Sequence, residues 1–124
     1  MLTASPATRV FLAAGTTDMR KSFDTLSAIV RGDLGGDPTS GHLYVFCNRR
    51  RDRIKVLYFD GSGLWACAKR LEKGTFWWPD SECIKPVELT REELVALLGG
   101  LDLHQSRRRR WYRVRNVEKT ARVH

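Results

Sequence analysis

Arginine and lysine side chains are concentrated in residues 45–79, where tryptophan, tyrosine and phenylalanine are interleaved with them. Guanidinium groups bind phosphate oxygens through paired hydrogen bonds, and aromatic rings stack on nucleic-acid bases. Positive charge combined with aromatic rings therefore predicts a surface that binds nucleic acid. The residues of this stretch that we expect to contact DNA are Arg49, Arg50, Arg51, Arg53, Lys55, Lys69, Arg70 and Lys73.

The densest part of this stretch is a predicted hairpin turn, Asn48 to Arg53, which holds four arginines and one acid. Crowded guanidinium groups repel one another, and an anionic partner converts that repulsion into attraction. A two-stranded ribbon is also narrow enough to enter a DNA major groove of roughly 12 Å. The alternative interpretation is a solvated charged turn that keeps the sheet edge from pairing.

Residues 107–124 form a second basic segment. They contain eight Lys and Arg side chains and one acid, so they carry +7 of the formal net charge of +8. Blocks of like charge are often interaction tails, and a solubilising terminus is the alternative. We therefore predict a single domain over residues 1–106 and a basic tail over residues 107–124. The tail residues that we expect to clamp or stack on DNA are Arg107, Arg108, Arg109, Arg110, Trp111 and Tyr112.

The sequence offers little for catalysis or metal binding. A metal-dependent strand-transfer enzyme needs separated carboxylates that converge on divalent metals. The available acids, Asp18, Asp24, Asp60 and Glu72, are placed to cap a helix, close a turn or pair with lysine. The three cysteines form no C-x-x-C pair, and Tyr112 is better suited to base stacking than to nucleophilic attack on phosphate. We expect no enzymatic activity, no metal and no cofactor.

A small sheet and two helices must position these side chains. Aromatic and branched runs between turn formers predict a meander of strands at residues 42–48, 53–60, 64–70 and 75–78. Residues 9–14 and 83–89 are expected to be short extended segments, and the glycine-rich residues 32–41 a loop. Alternation places Ile54, Val56 and Tyr58 on one face of their strand and Lys55 on the other.

Two amphipathic helices follow from periodicity and capping signals. The first is predicted from Thr16 or Thr17 to Gly32, and the second opens with a capping box from Thr90 to Glu93. The apolar stripes are Met19, Phe23, Leu26 and Val30 in the first helix and Leu94, Leu97, Leu98 and Leu101 in the second. The predicted fold class is α+β, a small antiparallel meander of about four to five strands whose one face is covered by both helices.

The apolar stretches are only a few residues long, far short of the roughly 20 needed to cross a bilayer. The first residues also lack a basic-then-apolar signal segment. We therefore expect a cytoplasmic protein with no membrane partner.

Two long stretches resemble a known family. They are N-R-R-R-D-R-I-K-V-L-Y-F-D-G-S-G-L-W at residues 48–65 and K-R-L-E-K-G-T-F-W-W-P at residues 69–79, and the similarity extends to residues 17–24 and 94–103. They resemble the second-open-reading-frame accessory proteins, called TnpB-type, of the insertion sequence 66 transposons. The resemblance implies a small bacterial mobile-element protein, encoded beside a separate transposase and needed for efficient transposition. It implies no set of catalytic residues.

The residues and the resemblance together predict a non-catalytic accessory protein that supports DNA transposition by binding DNA, such as transposon ends, and/or the transposase. The alternative is an adaptor that docks on the transposase through an exposed aromatic sheet face and makes no direct DNA contact. That face would contain Trp65, Trp77 and Trp78. DNA binding measured across salt concentrations separates the two hypotheses.

Overall fold

A computed structural model describes residues 8–80 and 87–99. In chain order, the elements are β1 (Val10–Leu12), α1 (Phe23–Gly32), β2 (Leu43–Cys47), β3 (Arg53–Phe59), β4 (Leu64–Arg70), β5 (Val87–Leu89) and α2 (Arg91–Leu98). The strands form one sheet in the order β4-β3-β2-β1-β5. The predicted α+β class and the strand count are confirmed.

The sheet is mixed, although most of its pairings are antiparallel. β2, β3 and β4 form the predicted meander, and β5 runs antiparallel to β1. β1 and β2 are parallel, with Val10 opposite Leu43, so the prediction of an entirely antiparallel sheet was wrong. The cause is α1, which lies between these two strands in sequence and returns the chain to the end from which β1 started.

The two helices lie on opposite faces of the sheet, which corrects the prediction that both would cover one face. On one face, Leu26 and Val30 of α1 pack with Tyr44, Phe46 and Leu57. On the other face, α2 packs on a core of strand residues. That core includes Val10, Leu12, Leu43, Val45, Ile54, Val56, Leu94 and Leu97. Every residue of β2 is buried, so the centre of the sheet is apolar on both sides and needs two covers.

α1 begins later than its apolar pattern predicts, with Ser22 as the N-cap residue. The backbone N–H of Thr17 donates to the carbonyl of Cys47 (2.8 Å), so the chain there runs beside β2 instead of coiling. Phe23 is 45% exposed, whereas Leu26 and Val30 are fully buried. Met19 and Phe23 therefore do not belong to the buried stripe of the helix.

The capping box of α2 is present as predicted. The backbone N–H of Glu93 donates to Thr90 Oγ1 (3.1 Å), and the backbone N–H of Thr90 donates to Glu93 Oε1 (2.8 Å). Leu94 and Leu97 face the core. The predicted stripe residue Leu101 lies outside the described residues.

Residues 75–78 do not form the predicted strand. The backbone N–H of Phe76 donates to the carbonyl of Arg51 (2.6 Å), and the indole N–H of Trp78 donates to the carbonyl of Ala13 (2.9 Å). Phe76 and Trp78 are buried in the core on the α2 face. Two buried rings spaced two residues apart mimic strand alternation, but the backbone N–H of Phe76 bonds to a turn and the indole of Trp78 bonds to a loop, instead of forming a ladder.

Residues 33–42 contain neither helix nor strand, as expected for the predicted loop. Of the helices in the described ranges, none has the length and apolar content needed to span a membrane. Part of the predicted extended segment, residues 83–86, and the predicted domain boundary at residue 106 lie outside the described residues.

Candidate nucleic-acid interface

The topology collects cationic side chains at one end of the sheet, here called the arginine end. This end contains the turn between β2 and β3, the first residue of β3, the last residue of β4 and the loop that follows β4. Arg53 at the start of β3 stands directly opposite Arg70 at the end of β4. The exposed cations of the arginine end are Arg49, Arg50, Arg53, Arg70 and Lys73.

Asn48 organises the turn that carries the arginines. Its side-chain oxygen accepts from the backbone N–H groups of Asp52 (3.1 Å) and Arg53 (3.0 Å). Its amide nitrogen donates to Asp52 Oδ1 (2.7 Å). The single acid of the turn, Asp52, is thus bonded to an amide. Arg49 and Arg50 form no ion pair with any described residue. Both arginine side chains are exposed.

Arg51 is placed differently from its neighbours. Its φ is +64°, a left-handed conformation that is costly for a residue with a Cβ, and its carbonyl accepts from Phe76. Its Nη1 atom is buried without a hydrogen-bond partner among the described residues. Arg51 therefore helps join the turn to residues 71–78, and it is less available to a ligand than Arg49 or Arg50.

The thiol of Cys47 lies close enough to Arg51 to be influenced by its charge. Burial raises the pKa of this thiol to about 12, and the nearby Arg51 opposes the increase only in part. A thiol with so high a pKa stays protonated at neutral pH, so it is a poor nucleophile. Cys47 is a packing residue of the core on the α2 face.

The two predicted lysines of the sheet point to opposite faces and are both engaged. Lys55, on the α1 face, donates to the carbonyl of Lys21 (2.7 Å), and Lys69, on the α2 face, donates to the carbonyl of Leu98 (2.6 Å). Lys69 thereby satisfies a carbonyl at the C-terminus of α2, where a positive charge is favourable. These two lysines tie the helices to the sheet, and they do not lie on one continuous strip.

The opposite end of the sheet is acidic. Asp60 in the turn between β3 and β4 accepts from the indole N–H of Trp65 (2.8 Å), from both the backbone N–H and the hydroxyl of Ser62, and from the backbone N–H of Gly63. These bonds, led by the one from Trp65, hold the pKa of Asp60 well below its usual range. Glu88 of β5 forms an ion pair with Arg9 (2.7 Å), so it adds no net negative charge. β3 therefore has an acid at one end and arginines at the other, and this arrangement favours anions at the arginine end.

The other acids occupy local roles. Asp18 binds the guanidinium and backbone N–H of Arg20, and the side-chain bonds in particular lower its pKa to about 2. Glu72 approaches Arg70 at 3.5 Å, and Asp24 lies in the first turn of α1. Residues 8–80 and 87–99 contain no group of three His, Cys, Asp or Glu side chains arranged to hold a metal ion.

The three tryptophans proposed for an aromatic docking face are separated by burial. Trp78 is 8% exposed and belongs to the core, Trp77 is half-buried, and Trp65 is 44% exposed. Only Trp65 among these three presents much of its ring to solvent. The tail residues Arg107, Arg108, Arg109, Arg110, Trp111 and Tyr112 lie outside the described residues.

The opposition of Arg53 and Arg70 and the organising role of Asn48 were missed from the sequence. The first had a readable signal, because the two-residue loop Gly61-Ser62 sets the register of the hairpin and pairs residue 53 with residue 70. The second had a weaker one, since asparagine at the start of a turn commonly accepts backbone N–H groups.

No solved structure matches the chain, so the comparisons with known proteins are comparisons of sequence. A family model described as "IS66 Orf2 like protein" matches residues 8–108. Two similar proteins come from Sinorhizobium fredii (strain NBRC 101917 / NGR234). "Uncharacterized protein y4hO" is 37% identical over 82% of this chain and 88% of its own length, and "Uncharacterized protein y4jC" is 33% identical over 88% and 92%. The chain therefore belongs to the IS66 Orf2-like family, whose members are accessory proteins of insertion-sequence transposition.

Proposed function

We propose that this protein is a non-catalytic DNA-binding factor of its insertion sequence and that the arginine end is its DNA-binding surface. The family supports a role in transposition, and the separation of charge along the sheet supports the choice of surface. In this proposal the protein acts in the bacterial cytoplasm, where it brings DNA, such as the ends of the element, to the transposase.

The observation that carries this proposal is the exposure of Arg49, Arg50 and Arg53, none of which forms an ion pair with a described residue, beside Arg70, whose ion pair with Glu72 is exposed. Asp52, the acid nearest in sequence, is bonded to Asn48. Glu72 reaches Arg70 only at 3.5 Å, and its side chain is 81% exposed. Exposed guanidinium groups with free donors are suited to the phosphate oxygens of a nucleic-acid backbone.

The shape of the arginine end favours contact with the DNA backbone over insertion into a groove. The carbonyls of Arg51 and Asp52 accept from the backbone N–H groups of Phe76 and Leu71 (2.8 Å for Leu71), so the turn lies against the loop after β4. It does not project as the free two-stranded ribbon that groove entry requires. Contacts to phosphate set affinity and register but carry no base information, so we expect weak sequence preference.

A pair of charge-matched double variants tests the surface. Arg49→Gln/Arg50→Gln removes two exposed cations at the arginine end, and Arg31→Gln/Arg91→Gln removes two exposed cations at helix ends remote from it. We expect the first variant to lose roughly 10-fold in DNA affinity and to flatten the log-log salt slope by about 2, because each neutralised phosphate contributes about 0.9.

The second double variant should change the affinity less than about 2-fold, because it leaves every phosphate contact in place. Titrations of a labelled duplex with the full chain at several salt concentrations measure both quantities. Equal losses in the two variants would show that net charge, and not the arginine end, controls binding. Replacing Arg107 to Arg110 with glutamine tests the proposed contribution of the tail separately.

The adaptor hypothesis retains one supporting observation. Trp65 is 44% exposed on the α2 face of β4, opposite Tyr58, and Val95 on α2 is 70% exposed. A Trp65→Ser variant that loses transposase binding while keeping DNA affinity would favour the adaptor. Unchanged transposase binding would contradict the adaptor hypothesis and favour DNA as the partner.

A further inference from the structure

We infer that Arg53 and Arg70 together form a seat for one phosphate group, with one guanidinium contributed by each of two neighbouring strands. The inference rests on the proposed function for the source of that phosphate, a phosphodiester of DNA. It adds a defined contact to what would otherwise be a diffuse basic surface.

The register of β3 and β4 fixes the geometry of the seat. Arg53 and Arg70 are Cα partners, and so are Lys55 and Ala68 two positions further along the same face. Side chains directly opposite in an antiparallel pair have Cβ atoms roughly 5 Å apart. Two arginine side chains starting so close together can reach the same oxyanion.

Backbone bonds hold both arginines in place. The N–H of Arg53 donates to Asn48 Oδ1 (3.0 Å), and the N–H of Leu71, the residue after Arg70, donates to the carbonyl of Asp52 (2.8 Å). The ends of the two strands are thus fixed to the same turn. A seat whose backbone is already ordered loses little entropy when a ligand binds.

The pairing of two arginines is otherwise unfavourable for the fold. Like charges directly opposite each other destabilise a sheet, whereas the next pair on the same face, Lys55 with Ala68, contains a single charge. Arg70 forms an ion pair with Glu72 (3.5 Å), but 81% of the Glu72 side chain is exposed, so the pair offsets the repulsion only weakly. A phosphate between the two guanidinium groups replaces repulsion with charge-assisted hydrogen bonds.

This balance predicts opposite effects on stability and binding. Arg53→Gln should raise the melting temperature at low salt by about 2 °C, because it removes the repulsion, and Arg70→Gln should raise it by less, because it also removes the exposed ion pair with Glu72. Inorganic phosphate should raise the melting temperature of the wild type and of the control Arg31→Gln more than an equal ionic strength of chloride does. The same phosphate should give no such additional rise in Arg53→Gln or Arg70→Gln.

A double-mutant cycle tests whether DNA uses the seat. If both guanidinium groups hold one phosphate, either single substitution should lower DNA affinity roughly 10-fold. Adding the other substitution should then lower the affinity by a factor at least about 3-fold smaller than the factor it causes in the wild type. The control cycle, Arg53→Gln with Arg91→Gln, should be additive. Additive losses for Arg53 and Arg70 would overturn the inference, as would an equal phosphate-induced rise in all variants.

The two proposals fail in different ways. If Arg49→Gln/Arg50→Gln leaves DNA affinity intact but phosphate still stabilises the wild type through Arg53 and Arg70, the seat holds and the proposed surface is wrong. If DNA binding depends on the turn but the Arg53 and Arg70 cycle is additive, the surface holds and the seat is wrong.

Discussion

The two hairpin turns at opposite ends of β3 are organised in the same way, but they differ in charge. In each, one side-chain oxygen accepts backbone N–H groups: Asn48 accepts from Asp52 and Arg53, and Asp60 accepts from Ser62 and Gly63. The amide of Asn48 is neutral, so it adds no negative charge beside Arg49 and Arg50. The carboxylate of Asp60 makes its end acidic. The choice of turn residue therefore helps to give the sheet its electrostatic polarity.

The same two ends differ in how they are supported. Phe76 and Trp78 are buried beneath the arginine end, and each is tied to it or to the neighbouring loop by a hydrogen bond. At the acidic end, Trp65 lies 44% exposed beside Asp60. The burial of these rings stabilises the arginine end against the repulsion between its charges, whereas the acidic turn is stabilised by its own hydrogen bonds.

The largest expected effect comes from the two tryptophans that distinguish these ends. Trp78→Ala should lower the free energy of unfolding by about 3–5 kcal/mol, because it empties a core site and orphans the carbonyl of Ala13. Trp65→Ala should cost about 1 kcal/mol, since much of that ring is already in water. Urea unfolding of both variants checks the order. Equal losses would mean that the two ends are supported alike.

Asn48→Ala tests whether the amide organises the arginine turn. The substitution leaves the N–H groups of Asp52 and Arg53 without their acceptor, so we expect a loss of about 2 kcal/mol in stability. Because Arg53 is no longer held, DNA affinity should also fall. Arg50→Ala truncates an exposed side chain of the same turn, leaves the Asn48 acceptor in place and is the matched control for stability. If Asn48→Ala unfolds at the wild-type urea midpoint, the amide is not what organises the turn.

Arg51→Gly and Arg50→Gly distinguish the structural role of Arg51 from the proposed DNA-binding role of Arg50 in the same turn. Glycine adopts the φ of +64° without strain, so Arg51→Gly should be neutral or more stable by up to about 1 kcal/mol. Arg50→Gly gains nothing in this way and removes an exposed donor, so it should lose more DNA affinity. The two variants have equal charge and composition. A larger affinity loss for Arg51→Gly would place Arg51 on the binding surface after all.

The smallest effect concerns pH at the acidic end. The pKa of Asp60 is depressed in the folded state, so its stabilisation is complete above the unfolded pKa of about 3.9 and is lost as the pH falls through the folded value. Asp60→Asn should therefore melt slightly below the wild type at pH 7, and the difference should shrink on acidification below about pH 4. A difference that stays constant with pH would show that charge plays no part in this turn.

Much of the fold followed from local patterns. The meander of β2, β3 and β4 was predicted because its turns contain asparagine, aspartate and glycine between alternating runs, and the capping box of α2 was predicted from Thr90 and Glu93. The start of α1 was not, because Met19 fits a helical period, whereas the backbone becomes helical only at Phe23. Residues 75–78 failed similarly, since burial of alternate rings does not require a ladder.

For the candidate site, the sequence by itself determined which side chains are cationic and that most of them are close together along the chain. Only the tertiary structure decided that Lys55 and Lys69 point to opposite faces and bind backbone carbonyls, that Arg51 turns inward, and that Arg70 joins Arg53 from the next strand. The physical reason is that alternation along a strand is local, whereas the register between strands and the cover over each face depend on distant residues.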